Sequence, residues 1–246
     1  MRLRIAVIGT PRSGNTWVRN VLSEAADLEQ IAVHTPQELP QVLPERLAVQ
    51  LHWYRDEDLL RYLQENGFRT LTIARHPLDV LLSVLQFIRF EPQTARWLDG
   101  AVEIPETLAG CAPTSPEFLE YATSAGAAKL LSVSSQWWSD PEGIHTRYED
   151  LVANPEREFT RIAARLELPG EKLPAAIAAN PLSRLQKLAN RHGWQGRPGL
   201  WKKLIVPLDA WRIRHHNQQI FRDLGYRVPP YFLTRSAARR TWAALT

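Results

Sequence analysis

Cysteine is nearly missing from this 246-residue chain, with Cys111 the only one. A lone thiol excludes an internal disulfide and any zinc cluster built on cysteines, and it agrees with a reducing compartment, so a cytoplasmic location is expected. Long hydrophobic runs are lacking too. No stretch approaches the ~20 apolar residues that cross a bilayer. The apolar run behind Arg2 and Arg4 stops at Gly9, too soon for a signal-peptide core. Repeats and low-complexity tracts are absent, and the length suits one α/β domain over 1–246 that buries a full core without a metal. Neither sign of charge dominates. The net formal charge of +4 gives mild support for an anionic ligand or acidic acceptor, and no nucleic-acid partner is expected.

The most telling absence is a single lysine. Residues Gly9 to Trp17 read Gly-Thr-Pro-Arg-Ser-Gly-Asn-Thr-Trp behind the apolar run Arg4–Ile8, as a strand feeds a phosphate-cradling loop. Gly9, Gly14 and Thr16 fit the Gly-x-x-x-x-Gly-Lys-Ser/Thr pattern, but Asn15 occupies the lysine position. In such a loop, successive backbone N–H groups and the next helix's N-terminus point at phosphate oxygens. Arg12 and Ser13 supply side-chain donors. An ATP or GTP enzyme needs the lysine at the β/γ-phosphates, so the ligand is read as phosphorylated but not a nucleoside triphosphate.

What is present alternates. Strand-like runs at Leu3–Ile8, Leu47–Leu51, Thr70–Ala74 and Ile144–Tyr148 are followed by helical patterns, which predicts a central parallel sheet flanked by helices. The first helix opens near Asn15–Thr16 and a second runs from Asp56 to Asn66, stopped by Gly67. Pro77 heads a third, with Leu78, Leu81, Leu82 and Leu85 at helical spacing. Prolines 92, 105, 113 and 116 and weak periodicity mark residues 91–116 as an irregular insertion over the sheet edge, of the kind that carries specificity. Residues 155–190 read as largely helical, 195–199 as a Gly/Pro-rich loop, 208–224 as a helix, and 229–246 as a tail without a clear assignment. Most of the nine tryptophans are expected in the core.

Two further segments carry chemistry. In Leu71–Ser83 a strand ends at Arg75, with Ser83 eight residues on, two turns into the next helix; both can face one anion. Ligands of open α/β sheets bind at the carboxyl ends of strands, which puts Arg75 on the rim with the Gly9 loop. Thr146-Arg147-Tyr148-Glu149-Asp150-Leu151 with Asn154-Pro155 places a strand, an acidic turn and a helix start in order. Its simplest reading is solvated Glu149 and Asp150 ahead of an Asn154 cap.

Together the three segments resemble the sulfotransferase family that uses 3′-phosphoadenosine 5′-phosphosulfate (PAPS). Pro11-Arg12-Ser13-Gly14-Asn15-Thr16-Trp17 is similar to that family's Pro-Lys-Ser-Gly-Thr-Thr-Trp. Arg75 to Ser83 resembles its Arg-Asn/Asp-Pro-x-Asp-x-x-x-Ser, and Tyr148 to Pro155 its Tyr-Glu-Asp-Leu-x-x-x-Pro. Order and spacing agree over roughly residues 4 to 166.

The resemblance implies a P-loop-like PAPS-binding fold and an enzyme that moves a sulfonate group from PAPS to a hydroxyl, or less favourably an amine, of a small-molecule or saccharide acceptor. The product is 3′,5′-ADP (PAP), and no metal is required. It implies that Arg12 contacts the 5′-phosphosulfate and stabilises the leaving phosphate, and that backbone N–H groups of Ser13, Gly14, Asn15 and Thr16 hold the 5′-phosphate. Arg75 and Ser83 are implied at the 3′-phosphate, Trp17 stacked on adenine and Tyr148 against the base. The implied proton acceptor is His52, 23 residues before Arg75 at the end of a strand, where an imidazole with an ordinary pKa of roughly 6.5 suits the task. Gln50 replaces the family's lysine beside it, and His34, in a Pro-rich loop, is the competing base. Near the C-terminus Arg197, Gly199 and Lys202 match the end of the family's Arg-Lys-Gly-x-x-Gly-x-Trp-Lys loop over the 3′-phosphate, whereas Arg191 with Gly193 matches its beginning. The family's dimer motif is not reproduced at Lys203–Pro207. Two other readings stay open: a catalytically inactive 3′-phosphoadenosine-binding scaffold, and a P-loop nucleotide kinase.

Overall fold

The computed structural model describes residues 2–187 and 194–246. Arg191 and Gly193 therefore lie outside the described residues. Apolar runs near the N-terminus become parallel strands because both faces of each are covered. β1 (Leu3–Gly9) is buried at every position. It alternates sides: Ile5 and Val7 face one core cluster, Ala6 and Ile8 the other. β1 is followed by α1 (Asn15–Ala26), β2 (Glu29–Val33), β3 (Arg46–Leu51), α2 (Glu57–Glu65), β4 (Phe68–Ala74) and α3 (Pro77–Phe87). Then come α4 (Pro116–Ala122), α5 (Ala125–Trp138), β5 (Ile144–Arg147), α6 (Tyr148–Ala153), α7 (Pro155–Arg165), α8 (Leu173–Ala179) and α9 (Leu182–Gln186). The chain ends with α10 (Trp201–Leu204), α11 (Pro207–His216), α12 (Gln218–Asp223) and α13 (Arg235–Leu245).

The strands form one parallel sheet in the order β2-β3-β1-β4-β5. On one face α1, α7 and α8 pack over Ile5, Val7 and Leu71; on the other, α3, α5 and the C-terminal helices pack over Ala6, Ile8 and Leu51. Pro77 heads α3, whose residues are all buried, and the His76 ring accepts the Leu78 N–H as its cap. Asn154 caps α7 by accepting the Arg157 N–H at 3.1 Å, with Pro155 first in the helix.

Four differences from the sequence reading stand out. β2 was not anticipated, because it is an edge strand exposed over its first two positions and lacks the apolar signature. The 91–116 insertion is irregular, with short 3₁₀ turns, yet Trp97, Leu98, Val102 and Leu108 sink into the core. The 208–224 helix is broken at Asn217, whose side chain donates to the Ile213 and Ala122 carbonyls. The tail forms α13, capped by Thr234 and anchored by buried Ala238 and Trp242. Of the tryptophans, Trp137 and Trp201 are fully buried while Trp211 is 53% exposed.

Candidate functional site

All five strands among the described residues deliver a side chain or loop to one rim. β1 runs into the Thr10–Gly14 loop, β2 into His34, β3 into His52, β4 into Arg75 and β5 into Tyr148. Sheet register makes these ends level. Val33 pairs with Leu51 and Leu51 with Ile8, while Ala74 pairs with Arg147, so each named residue is the first beyond its paired strand. Residues from all five ends border a cavity of about 310 Å³.

The β1 loop is braced from within. Asn15 turns its amide inward and donates to the Thr10 carbonyl at 3.0 Å, so the residue at the lysine position secures the loop. The Thr10 N–H donates to Ser134 Oγ at 2.8 Å, and that hydroxyl donates to the Ile73 carbonyl at 2.7 Å. Gly14, the residue before α1, has φ 101°, and a Cβ there would lie 2.7 Å from the Tyr148 ring. Arg12 also has positive φ, 72°, a conformation that costs a non-glycine residue about 1–3 kcal/mol. The surrounding structure holds it there: Arg75 Nη1 donates to the Arg12 carbonyl at 2.9 Å.

Two guanidinium groups therefore share the rim. Arg12 Nε donates to Ser83 Oγ at 3.1 Å, and its guanidinium sits 4.0 Å over the Phe87 ring. That of Arg75 sits 4.4 Å over Tyr148. Aromatic faces favour a cation there. Burial, and then repulsion from Arg75, draw the Arg12 pKa down to about 9. Ser13 Oγ and Arg75 Nε are buried donors with no hydrogen-bond partner among the described residues. An unsatisfied buried donor is costly, and an oxyanion in the cavity would satisfy that of Arg75, which borders it; Ser13 does not line the cavity.

Both ring nitrogens of His52 are engaged. Nδ1 lies 2.7 Å from the Gly9 carbonyl and Nε2 lies 3.2 Å from Gln50 Nε2, while Thr16 Oγ1 donates to Gln50 Oε1 at 3.1 Å. Burial is the main reason the His52 pKa falls to about 4. His34 borders the same cavity, with Nδ1 buried and without a hydrogen-bond partner among the described residues. Its place corrects the sequence reading, since it follows a strand whose end reaches the rim.

Other expected residues are placed less simply. Trp17 borders the cavity but is buried, with Nε1 donating to the Asn180 carbonyl at 2.8 Å and an edge-to-face contact with Phe159. Tyr148 donates its hydroxyl to the Gly196 carbonyl at 2.8 Å. Arg197 and Lys202 are exposed and do not border the cavity. Gly199 does not border it either; its N–H, with that of Trp201, donates to the buried carboxylate of Asp79, a cavity-lining residue, at 2.6 and 3.0 Å. Asp79 lies within the Leu71–Ser83 segment, where the sequence alone assigned it no task. Glu149, read as solvated, instead accepts the His76 N–H at 2.8 Å and the Tyr226 hydroxyl at 2.6 Å.

Fold and site define a P-loop-like α/β protein with two arginines at the rim of its cavity. The fold is that of the PAPS-dependent sulfotransferases. Mouse sulfotransferase SULT7A1 complexed with PAP is similar over 91% of this chain and 86% of its own, with a TM-score of 0.67 and 17% identity. Retinol dehydratase complexed with retinol and PAP is similar over 93% and 84%, with a TM-score of 0.63 and 15% identity. The sulfotransferase domain from the curacin biosynthetic pathway matches over 93% and 99%, with a TM-score of 0.52 and 16% identity. No protein-family model matches the chain, and no curated protein matches it in sequence. No helix among the described residues is long and apolar enough to cross a membrane.

Proposed function

We propose that this protein is an enzyme that transfers a sulfonate group from PAPS to a hydroxyl of a small-molecule acceptor, yielding PAP. The observation that carries this reading is the convergence of Arg12 and Arg75 on one cavity, with Nε of Arg75 buried and without a hydrogen-bond partner among the described residues, at the end of a glycine loop without the lysine of nucleoside triphosphatases. Sulfotransferase-fold neighbours solved with PAP support it.

In this reading the N–H groups of Ser13 to Thr16 and the start of α1 hold the 5′-phosphate, while Arg75 and Ser83 take the 3′-phosphate. Trp17 and Tyr148 flank the adenine. Arg12 stabilises negative charge gathering on the leaving phosphate, an electrostatic role that needs no protein nucleophile. His52 takes the acceptor's proton. The acceptor enters beside Phe87 and Trp97, cavity-lining residues whose rings stack 5.8 Å apart at an angle of 4°. The Asn15 amide, turned inward onto Thr10, cannot reach a γ-phosphate as a lysine does, which disfavours the kinase reading.

Calorimetric titration with PAP, against 5′-AMP and magnesium-ATP as competitors, tests the cofactor. PAP is expected to bind at least ~10-fold tighter than 5′-AMP; preference for magnesium-ATP overturns the reading. Sulfonate transfer from labelled PAPS to a panel of phenols, sterols and sugars tests the chemistry. PAP binding without transfer to any hydroxyl would instead select the inactive scaffold, the reading favoured by the two engaged nitrogens of His52.

A further inference from the structure

With His52 neutral, as its burial favours, the hydrogen bonds around it have one consistent arrangement of protons. The Gly9 carbonyl can only accept, so His52 Nδ1 carries the hydrogen between them. The neutral ring is then bare at Nε2, which can only accept, so Gln50 must present its NH₂ to it and its oxygen to the Thr16 hydroxyl. A relay results: Thr16 to Gln50 to His52 to Gly9. Its two ends are the last and first residues of the phosphate-loop motif. The nitrogen lone pair required for proton abstraction is the one that the Gln50 amide covers.

We propose that Gln50 is a positioning residue that caps His52 while the cofactor site is empty and uncovers it when a phosphate occupies the loop. This inference rests on the PAPS reading above. A 5′-phosphate at the start of α1 competes for the Thr16 hydroxyl and draws it from Gln50 Oε1. The carboxamide, no longer held at its oxygen, rotates off His52 Nε2. The acceptor O–H proton then passes to Nε2 as the acceptor oxygen forms its bond to sulfur. The bridging O–S bond breaks with its electron pair going to the 5′-phosphate of PAP. Base availability and cofactor occupancy are thereby coupled through one side chain. Gln50 stands where the related motif has lysine, and a lysine ammonium has no acceptor with which to join such a relay.

The other charged or titratable groups facing His52 are His34 from the end of β2, Arg12 from the loop and Arg19 from α1, and each disfavours a charged ring. A cap that donates to Nε2 acts in the same direction, so its removal must raise the His52 pKa. The experiment is NMR titration of ring-labelled histidine in the full chain, wild type and Gln50→Met, free and with PAP. Met keeps the side chain's length and removes the donor. In the free protein, Gln50→Met is expected to raise the His52 pKa by about one pH unit. The rise that PAP induces in wild type should shrink by the same amount in the variant. Thr16→Val, which cuts the relay at its other end, should give the same direction with Gln50 intact. A free-protein His52 pKa that changes by less than about 0.3 in both variants overturns the cap. Equal PAP-induced rises in wild type and Gln50→Met overturn the coupling. Calorimetry on the same samples separates the two levels: absence of PAP binding overturns the cofactor reading and the coupling with it, while the free-protein comparison still decides the cap.

Discussion

The two segments closing on the cavity are built differently. The N-terminal loop, Gly9 to Thr16, takes its turn from neighbours in sequence, with Asn15 tied back to Thr10 and Gly14 leading the chain into α1, while Ser134, Arg75 and His52 steady it from outside. The C-terminal segment, Trp194 to Lys202, is held by distant groups. Asp79 binds it at Gly199 and Trp201, the Tyr148 hydroxyl binds it at Gly196, and Trp201 stacks on His76 at 4.8 Å. A loop determined by local chemistry can be recognised from a short motif. One determined by long-range anchors tolerates changed spacing as long as the anchors meet it.

The comparison breaks most severely at Arg12. Arg12→Ala removes the cation at the leaving phosphate, and kcat/KM for PAPS is expected to fall about 10³-fold; a loss below 10-fold would show that the N-terminal loop does not carry the transition-state charge. Gly14→Ala tests the backbone without touching a donor. The left-handed φ and the 2.7 Å approach to Tyr148 should weaken PAP binding about 10- to 100-fold and lower the melting temperature.

Acid should loosen the C-terminal anchors next. Burial holds His76, like His52, neutral with a pKa of about 4. A histidine depressed in the folded state contributes stability above its unfolded pKa near 6.5 and loses it as pH falls toward 4. Denaturant unfolding at pH 7 and pH 5 should differ by about 2 kcal/mol per histidine, with a smaller difference in His76→Asn. Asp79→Asn sets one amide donor against a backbone donor, so PAP affinity should fall about 10-fold and trypsin cleavage after Lys202 should accelerate. Arg197→Ala and Lys202→Ala have the smallest expected effect, less than about 3-fold on PAP binding, because both side chains are exposed. A large loss at either would show that the segment closes further over bound PAP.

Legibility followed the same division. The alternation of strands and helices, the β1 loop, Arg75 at the end of β4 and the Asn154 cap were all readable, since each depends on residues within one turn or strand. β2 was hidden because an edge strand needs little apolar surface, and with it the rim position of His34. Glu149 and Asp79 looked like ordinary surface or helix residues because their partners, Tyr226 and the Gly199–Trp201 backbone, are 77 residues or more away in sequence. The exposure of Arg197 and Lys202 was likewise beyond a motif that specifies spacing but not direction.

By itself, the sequence determined the kind of loop that follows β1 and the parallel sheet behind it, because periodicity, glycine φ and local donors act over a few residues. Only the tertiary structure decided which side chains meet at the rim, which carboxylates serve as anchors, and that Gln50 covers the His52 lone pair, because those outcomes depend on strand register and on contacts between residues far apart in the chain.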